Sequence, residues 1–157
     1  MFDGKFNIIH GDRSSGRTQI ILEISKYFKE HNIKLFFLSC TSVNDKKILS
    51  LFDDYRIIDS SEFNNLKILE VVKEICQNKD YSFLIVDDID YLSRSCYELL
   101  MSIDINKIAT CLTYNCSKLL LPVSSVFHNV FDVDLNKTNN LIKNILRDKK
   151  INSLLND

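Results

Sequence analysis

Residues 6–28, FNIIHGDRSSGRTQIILEISKYF, decide the fold. A short apolar run (Phe6, Ile8, Ile9) meets Gly11, and the pattern Gly-x-x-x-x-Gly-Arg-Thr occupies 11–18. Apolar residues then recur at Ile20, Ile21, Ile24, Tyr27 and Phe28, the spacing of one helix face. Strand, glycine-bounded loop and helix is the layout in which backbone N–H groups at a positive helix end hold phosphate. The chain has only three glycines. Two of them, Gly11 and Gly16, stand where such a loop needs free φ and close backbone approach.

A second informative stretch is 81–92, YSFLIVDDIDYL. Four apolar residues, 83–86, run directly into Asp87 and Asp88, as a buried strand does when it ends in acids at a polar edge. Between the two stretches, LFFL at 35–38 and YRII at 55–58 read as strands. Ser42 with Asp45 has capping-box spacing ahead of a short helix through 51. Residues 62–78 read as a helix with Leu66, Leu69, Val72 and Cys76 on its apolar side. After 92, Ser95 with Glu98 gives a second capping box before a helix with Leu99, Leu100 and Ile103 inward. IATCL at 108–112 is a further strand, ending at Thr113, Tyr114 and Asn115. VFDVDL at 130–135 alternates like a strand with one wet face. Thr138 heads a last helix carrying Leu141, Ile142, Ile145 and Leu146, with Arg147, Lys149 and Lys150 suiting its negative end. Strands alternating with helices imply a mainly parallel central sheet covered on both faces, a three-layer α/β/α architecture.

The two stretches together resemble the Walker A (P-loop) and Walker B motifs of the P-loop NTPases, and the resemblance implies the rest of the site. It places Gly11, Asp12, Arg13, Ser14, Ser15, Gly16, Arg17, Thr18 and Gln19 around the phosphates of ATP. Thr18 and Asp87 become the side chains that hold Mg²⁺, and Asp88 the group that orients the attacking water. Arg17 stands where the family has lysine. Its guanidinium is a wide planar fork rather than a compact ammonium, so it offsets charge on the outer phosphates with a different shape. A strand after the Walker B strand, ending in polar Thr113 or Asn115 as a phosphate sensor, is similar to the ATPases with a strand inserted between the two motif strands. Within that group the strand at 55–58 resembles the RecA-like P-loop NTPase fold more than AAA+ proteins. RecA-like enzymes usually carry a glutamate after the second strand. Here 39–42 read Ser-Cys-Thr-Ser, with no acid before Asp45.

With 157 residues, 45% hydrophobic and 26% charged, the chain suits a single domain, 1–157. Its formal net charge of -1 argues against broad attraction to nucleic acid or acidic membrane. Five scattered cysteines (Cys40, Cys76, Cys96, Cys111, Cys116) form no zinc pattern and read as reduced core thiols, favouring an intracellular location, cytoplasm or nucleus. The start shows no basic segment leading into a long apolar one, and Asn115, Lys118 and Pro122 break up the most apolar region, so no signal peptide or membrane span is expected.

The resemblance therefore implies an ATP-binding RecA-like subunit, similar to a recombinase paralogue, with weak or partner-dependent ATPase activity. It would act in DNA recombination or repair in a hetero-oligomer with protein partners, meeting DNA through the complex. Two alternatives stay open. One is a viral or AAA+-like motor for DNA packaging or helicase loading, with Arg94 or Arg147 as a finger donated to a neighbour. The other is a nucleotide-free pseudo-ATPase scaffold.

Overall fold

The computed structural model describes residues 6–41, 46–58, 65–78, 80–112 and 128–132. In order they form β1 (Phe6–Gly11), α1 (Arg17–Glu30), β2 (Leu35–Ser39), α2 (Lys46–Leu49), β3 (Asp54–Ile57), α3 (Asn65–Gln77), β4 (Phe83–Asp87), a 3₁₀ turn (Ile89–Tyr91), α4 (Arg94–Met101), β5 (Asn106–Leu112) and β6 (His128–Asp132). The six strands make one sheet in the order β3-β2-β4-β5-β1-β6. Every pairing in it is parallel. A strand does lie between the two that carry the motifs, because β5 separates β1 from β4.

β1, β2, β4 and β5 read as near-continuous apolar runs because both faces of the sheet are covered there, while β3 at the edge is largely exposed. Alternation by two sorts their side chains into two cores. Ile9, Phe37, Ile85 and Ile108 face α1, meeting Ile20, Ile21, Ile24 and Phe28, with Ile48 and Leu49 of α2 against the same cluster. Ile8, Phe36, Leu38, Leu84, Val86, Ala109 and Cys111 face the other way, onto α3 and α4. Aromatic contacts stitch both layers, with Phe28 stacked on Phe83 at 4.7 Å and Phe6 edge-on to Tyr97 at 6.3 Å. No helix among the described residues is long and apolar enough to cross a membrane.

The α3 face and the α4 cap differ from expectation, while Leu100 and Ile103 of the expected α4 face are buried and Leu99 packs against the same core. In α3 the buried stripe is Ile68, Val71, Val72 and Ile75, while Leu66 is 68% exposed and Cys76 is also exposed. Apolar residues are dense enough there to offer two stripes, and the 68-71-72-75 set keeps the i, i+3, i+4, i+7 spacing that one helix face requires. In α4 the cap is Ser93, not Ser95: its side chain accepts from the Cys96 N–H, and Glu98 pairs with Arg94 at 2.9 Å instead of closing a box. The inward residues are Cys96, Tyr97 and Leu100, with Ile103 buried just past the helix end. Ser42, Asp45, Thr113, Asn115, 133–135, the helix headed by Thr138, Arg147 and Cys116 lie outside the described residues.

Candidate nucleotide site

All strands being parallel, their C-terminal ends share one edge of the sheet, where the loops of such folds gather ligands. Register then sets the chemistry. Ser39 pairs with Asp87, Ile9 with Thr110 and Gly11 with Leu112. Counting by twos from the α1-facing Phe37, Ile85, Ile108 and Ile9 puts Ser39, Asp87, Thr110 and Gly11 on that same face at the strand ends. The polar residues of this face therefore converge beneath the loop that leads into α1.

That loop, 12–16, turns on two left-handed residues, Ser14 (φ 62°) and Gly16 (φ 96°). Ser15 N–H donates to the Asp12 carbonyl at 3.1 Å, closing the turn. Gly16 is the N-cap of α1 and supplies no side-chain cap, and the first helical bond runs from Ile20 N–H to the Gly16 carbonyl at 3.0 Å. The N–H groups ahead of it at the helix start thus present positive partial charge to whatever lies at the loop mouth. Asp12, Arg13, Ser14, Thr18 and Gln19 are exposed there, Ser15 is buried, and Gln19 donates to Glu23 Oε1 at 2.8 Å.

Arg17 is the first residue of α1, where a cation meets the unfavourable end of the helix dipole. Its side chain is nevertheless only 12% exposed, with Nη1 3.3 Å from Asp88 Oδ1. Asp88 takes the left-handed conformation (φ 55°, ψ 52°) that aspartate tolerates better than most residues. Its other oxygen, Oδ2, accepts from the Thr41 hydroxyl at 3.2 Å. Asp87 is 5% exposed. Burial pushes its carboxyl up to about 6, the Thr110 hydroxyl bond and the Arg17 charge working against that rise and the Asp88 charge adding to it. Beside them Cys40 is buried, and burial, reinforced by the charges of Asp87 and Asp88, raises its thiol well above the usual range.

Of the sequence-predicted residues, the structure joins Arg17 on α1 to Asp88 and sets Asp87 beside that pair at the end of β4, while 11–16 form the loop into α1 and Thr18 and Gln19 are exposed on its first turn. Three partners of these residues were not picked out from sequence. Thr110 lies two residues inside β5, donating to Asp87 Oδ1 at 2.6 Å and accepting from Asp88 N–H at 2.8 Å. Thr41 and Ser39 come from the segment that lacks the expected acid, the Ser39 hydroxyl donating to the Thr41 carbonyl at 2.6 Å. A hydroxyl inside the otherwise apolar run IATCL was the available signal for Thr110, since a buried hydroxyl requires a partner. Arg94, considered as a finger, is exposed and paired with Glu98.

Among the described residues no cluster of three or more His, Cys, Asp or Glu side chains is arranged to hold a metal ion. Mg²⁺ on a nucleotide needs less, one or two protein oxygens plus phosphates and water. Asp87 and Thr18 carry oxygen donors of the kind that mode uses. The loop fits a phosphate through Gly16, whose left-handed position no Cβ crowds.

No protein-family model matches the chain, and no curated protein matches it. Among solved structures it is similar to the flagellar accessory protein FlaH from Methanocaldococcus jannaschii, with a TM-score of 0.52 at 15% identity, over 76% of this chain and 66% of that one. The chain thus spans slightly less than two thirds of FlaH, and the likeness is one of fold. The architecture is a RecA-like α/β fold whose described strands all pair in parallel.

Proposed function

We propose that this chain is a nucleotide-binding RecA-like ATPase domain, taking MgATP at the β1–α1 loop and hydrolysing it weakly unless a partner assists. The observation that carries this reading is the meeting of an open, glycine-ended loop with buried Asp87 at one sheet edge. In the proposed mechanism the N–H groups of residues 13–18 cradle the phosphate oxygens. Arg17 turns its guanidinium to the outer phosphates, and Asp88 orients a water for in-line attack. Thr18 and Asp87 would hold Mg²⁺, which would supply charge neutralisation at the phosphates.

Weak unaided turnover follows from the arrangement of Asp88. Its two oxygens engage Arg17 and Thr41, so the group that should aim water is committed to structural partners. A second subunit that supplies a cation to the phosphates would stabilise the transferring group without relying on Asp88. On this reading the domain works in a heteromeric assembly, and DNA recombination or repair is the proposed setting, with DNA reached through the complex.

The test is ATP turnover by the purified chain, alone and with proteins that co-purify from its native host. Unaided turnover below about 10⁻² s⁻¹, the range of nucleotide switches without an outside finger, with acceleration in the complex, supports the proposal. Fast turnover that rises with the concentration of this chain alone contradicts it and favours a homomeric motor.

A further inference from the structure

We propose that Thr110 is a positioning residue that sets the Asp87–Asp88 corner for nucleotide-bound Mg²⁺, an inference that rests on the nucleotide reading above. A single buried hydroxyl serves both acids. It donates to Asp87 Oδ1 at 2.6 Å and accepts from the Asp88 backbone N–H at 2.8 Å. Thr110 itself is fully buried and belongs to β5, the strand between the two motif strands.

The geometry explains why two consecutive acids face different tasks. After β4 ends at Asp87, the chain must leave the extended conformation at once, and Asp88 does so at φ 55°. A non-glycine residue in that region persists when its surroundings hold it there. Thr110 holds the Asp88 amide, while Thr41 and Arg17 hold the Asp88 carboxylate. The same Thr110 hydroxyl fixes the Asp87 side chain on the α1 face, beneath the phosphate loop. The Asp90 carboxylate completes the corner by accepting the Leu112 N–H at 3.0 Å, tying the turn after β4 to the end of β5. The strand that splits the motif strands is therefore the one that aims the acids. A shift of β5 along the sheet would move both acids together.

The experiment compares wild type with Thr110→Val, which keeps shape and loses the hydroxyl, and with Thr110→Ser, which keeps the hydroxyl. Two readouts are taken: hydrogen exchange at the Asp88 amide in nucleotide-free protein, and the Mg²⁺ concentration that half-saturates the binding of a fluorescent ADP. Thr110→Val is expected to speed exchange at Asp88 and to raise the Mg²⁺ requirement, each by about tenfold, the size of one lost hydrogen bond. Metal-free ADP affinity stays within about twofold, because the Thr110 hydroxyl bonds run to the two acids, and Thr110→Ser restores both readouts. A purely structural role would weaken ADP binding with and without metal alike, and that result overturns the proposal. So does a valine variant indistinguishable from wild type. If the valine chain does not fold, the serine variant decides: wild-type exchange and metal requirement support the proposal, and a loss of either overturns it. Wild-type protein that binds no ADP sinks the nucleotide reading, and with it the metal-positioning role. Amide exchange then still tells whether Thr110 holds the corner.

Discussion

Arg17 at the start of α1 and Asp88 just past β4 form an ion pair, Nη1 to Oδ1 at 3.3 Å, between the β1–α1 connection and the end of β4. The pair places an anion of the protein's own at the positive end of α1, where a phosphate would otherwise be favoured. Asp88 thereby competes with a ligand for Arg17 and for the helix end. Both side chains are mostly shielded from water, so screening does little to weaken the competition.

Asp88→Asn removes that competing charge while keeping a side chain that Thr41 can meet. ATP affinity should rise about three- to tenfold, near 1 kcal/mol, and any hydrolysis should fall. Fluorescence titration and a turnover assay on the same preparation check both directions. Unchanged or weaker binding would show that Arg17 is not restrained by this pair.

Asp87 predicts an acid-side stability effect with a definite sign. Burial raises its carboxyl from 3.8 to about 6 in the folded chain. The folded state then holds a proton that the unfolded state has released between those values. Stability contributed by this group is full below about pH 4 and is lost as pH rises through 6. The difference is about 3 kcal/mol at most. Thermal melts in chelator, with Asp87→Asn as the reference, should show the variant gaining on wild type as pH rises from 4 to 7. A constant offset between the two curves would contradict the assignment.

The cysteines differ by environment and should differ in reactivity. Cys40, Cys96 and Cys111 are buried and Cys76 is exposed. Burial and two neighbouring carboxylates keep the Cys40 thiol protonated, and the thiolate is the reactive form. Brief alkylation of native protein at pH 8, read by peptide mass mapping, should modify Cys76 and spare Cys40. Early labelling of Cys40 would mean that the Asp87–Asp88 corner opens in solution.

Much of this architecture was legible in residues 6–28 and 81–92, because strand and helix periods there are clean and the glycines are few. The sheet strands followed from short apolar runs such as LFFL, which have no alternative placement in a covered parallel sheet. Helix faces were harder. In α3 the apolar residues are crowded enough that Leu66 and Ile68 both head a plausible stripe, and only packing against Leu84 and Val86 selects the second. Capping at α4 failed for a local reason, since serine occurs at both 93 and 95. Of the candidate site, the loop residues, Thr18, Asp87 and Asp88 could be picked out by motif. Thr110 and Thr41 could not, because their roles arise from register between β4, β5 and β2, which are distant in sequence. The Arg17–Asp88 pair is likewise a product of the folded sheet edge.

The proposed function requires that the β1–α1 loop wrap a polyphosphate with help from Thr18 and Asp87. Its most direct test is equilibrium titration of a fluorescent ATP analogue into wild type and Thr18→Ala, with and without Mg²⁺. Saturable wild-type binding on the order of micromolar, about −8 kcal/mol, is expected. Binding in the presence of Mg²⁺ should fall at least about tenfold in the variant. A wild-type chain that never saturates, or a variant that binds as wild type does in Mg²⁺, would contradict it.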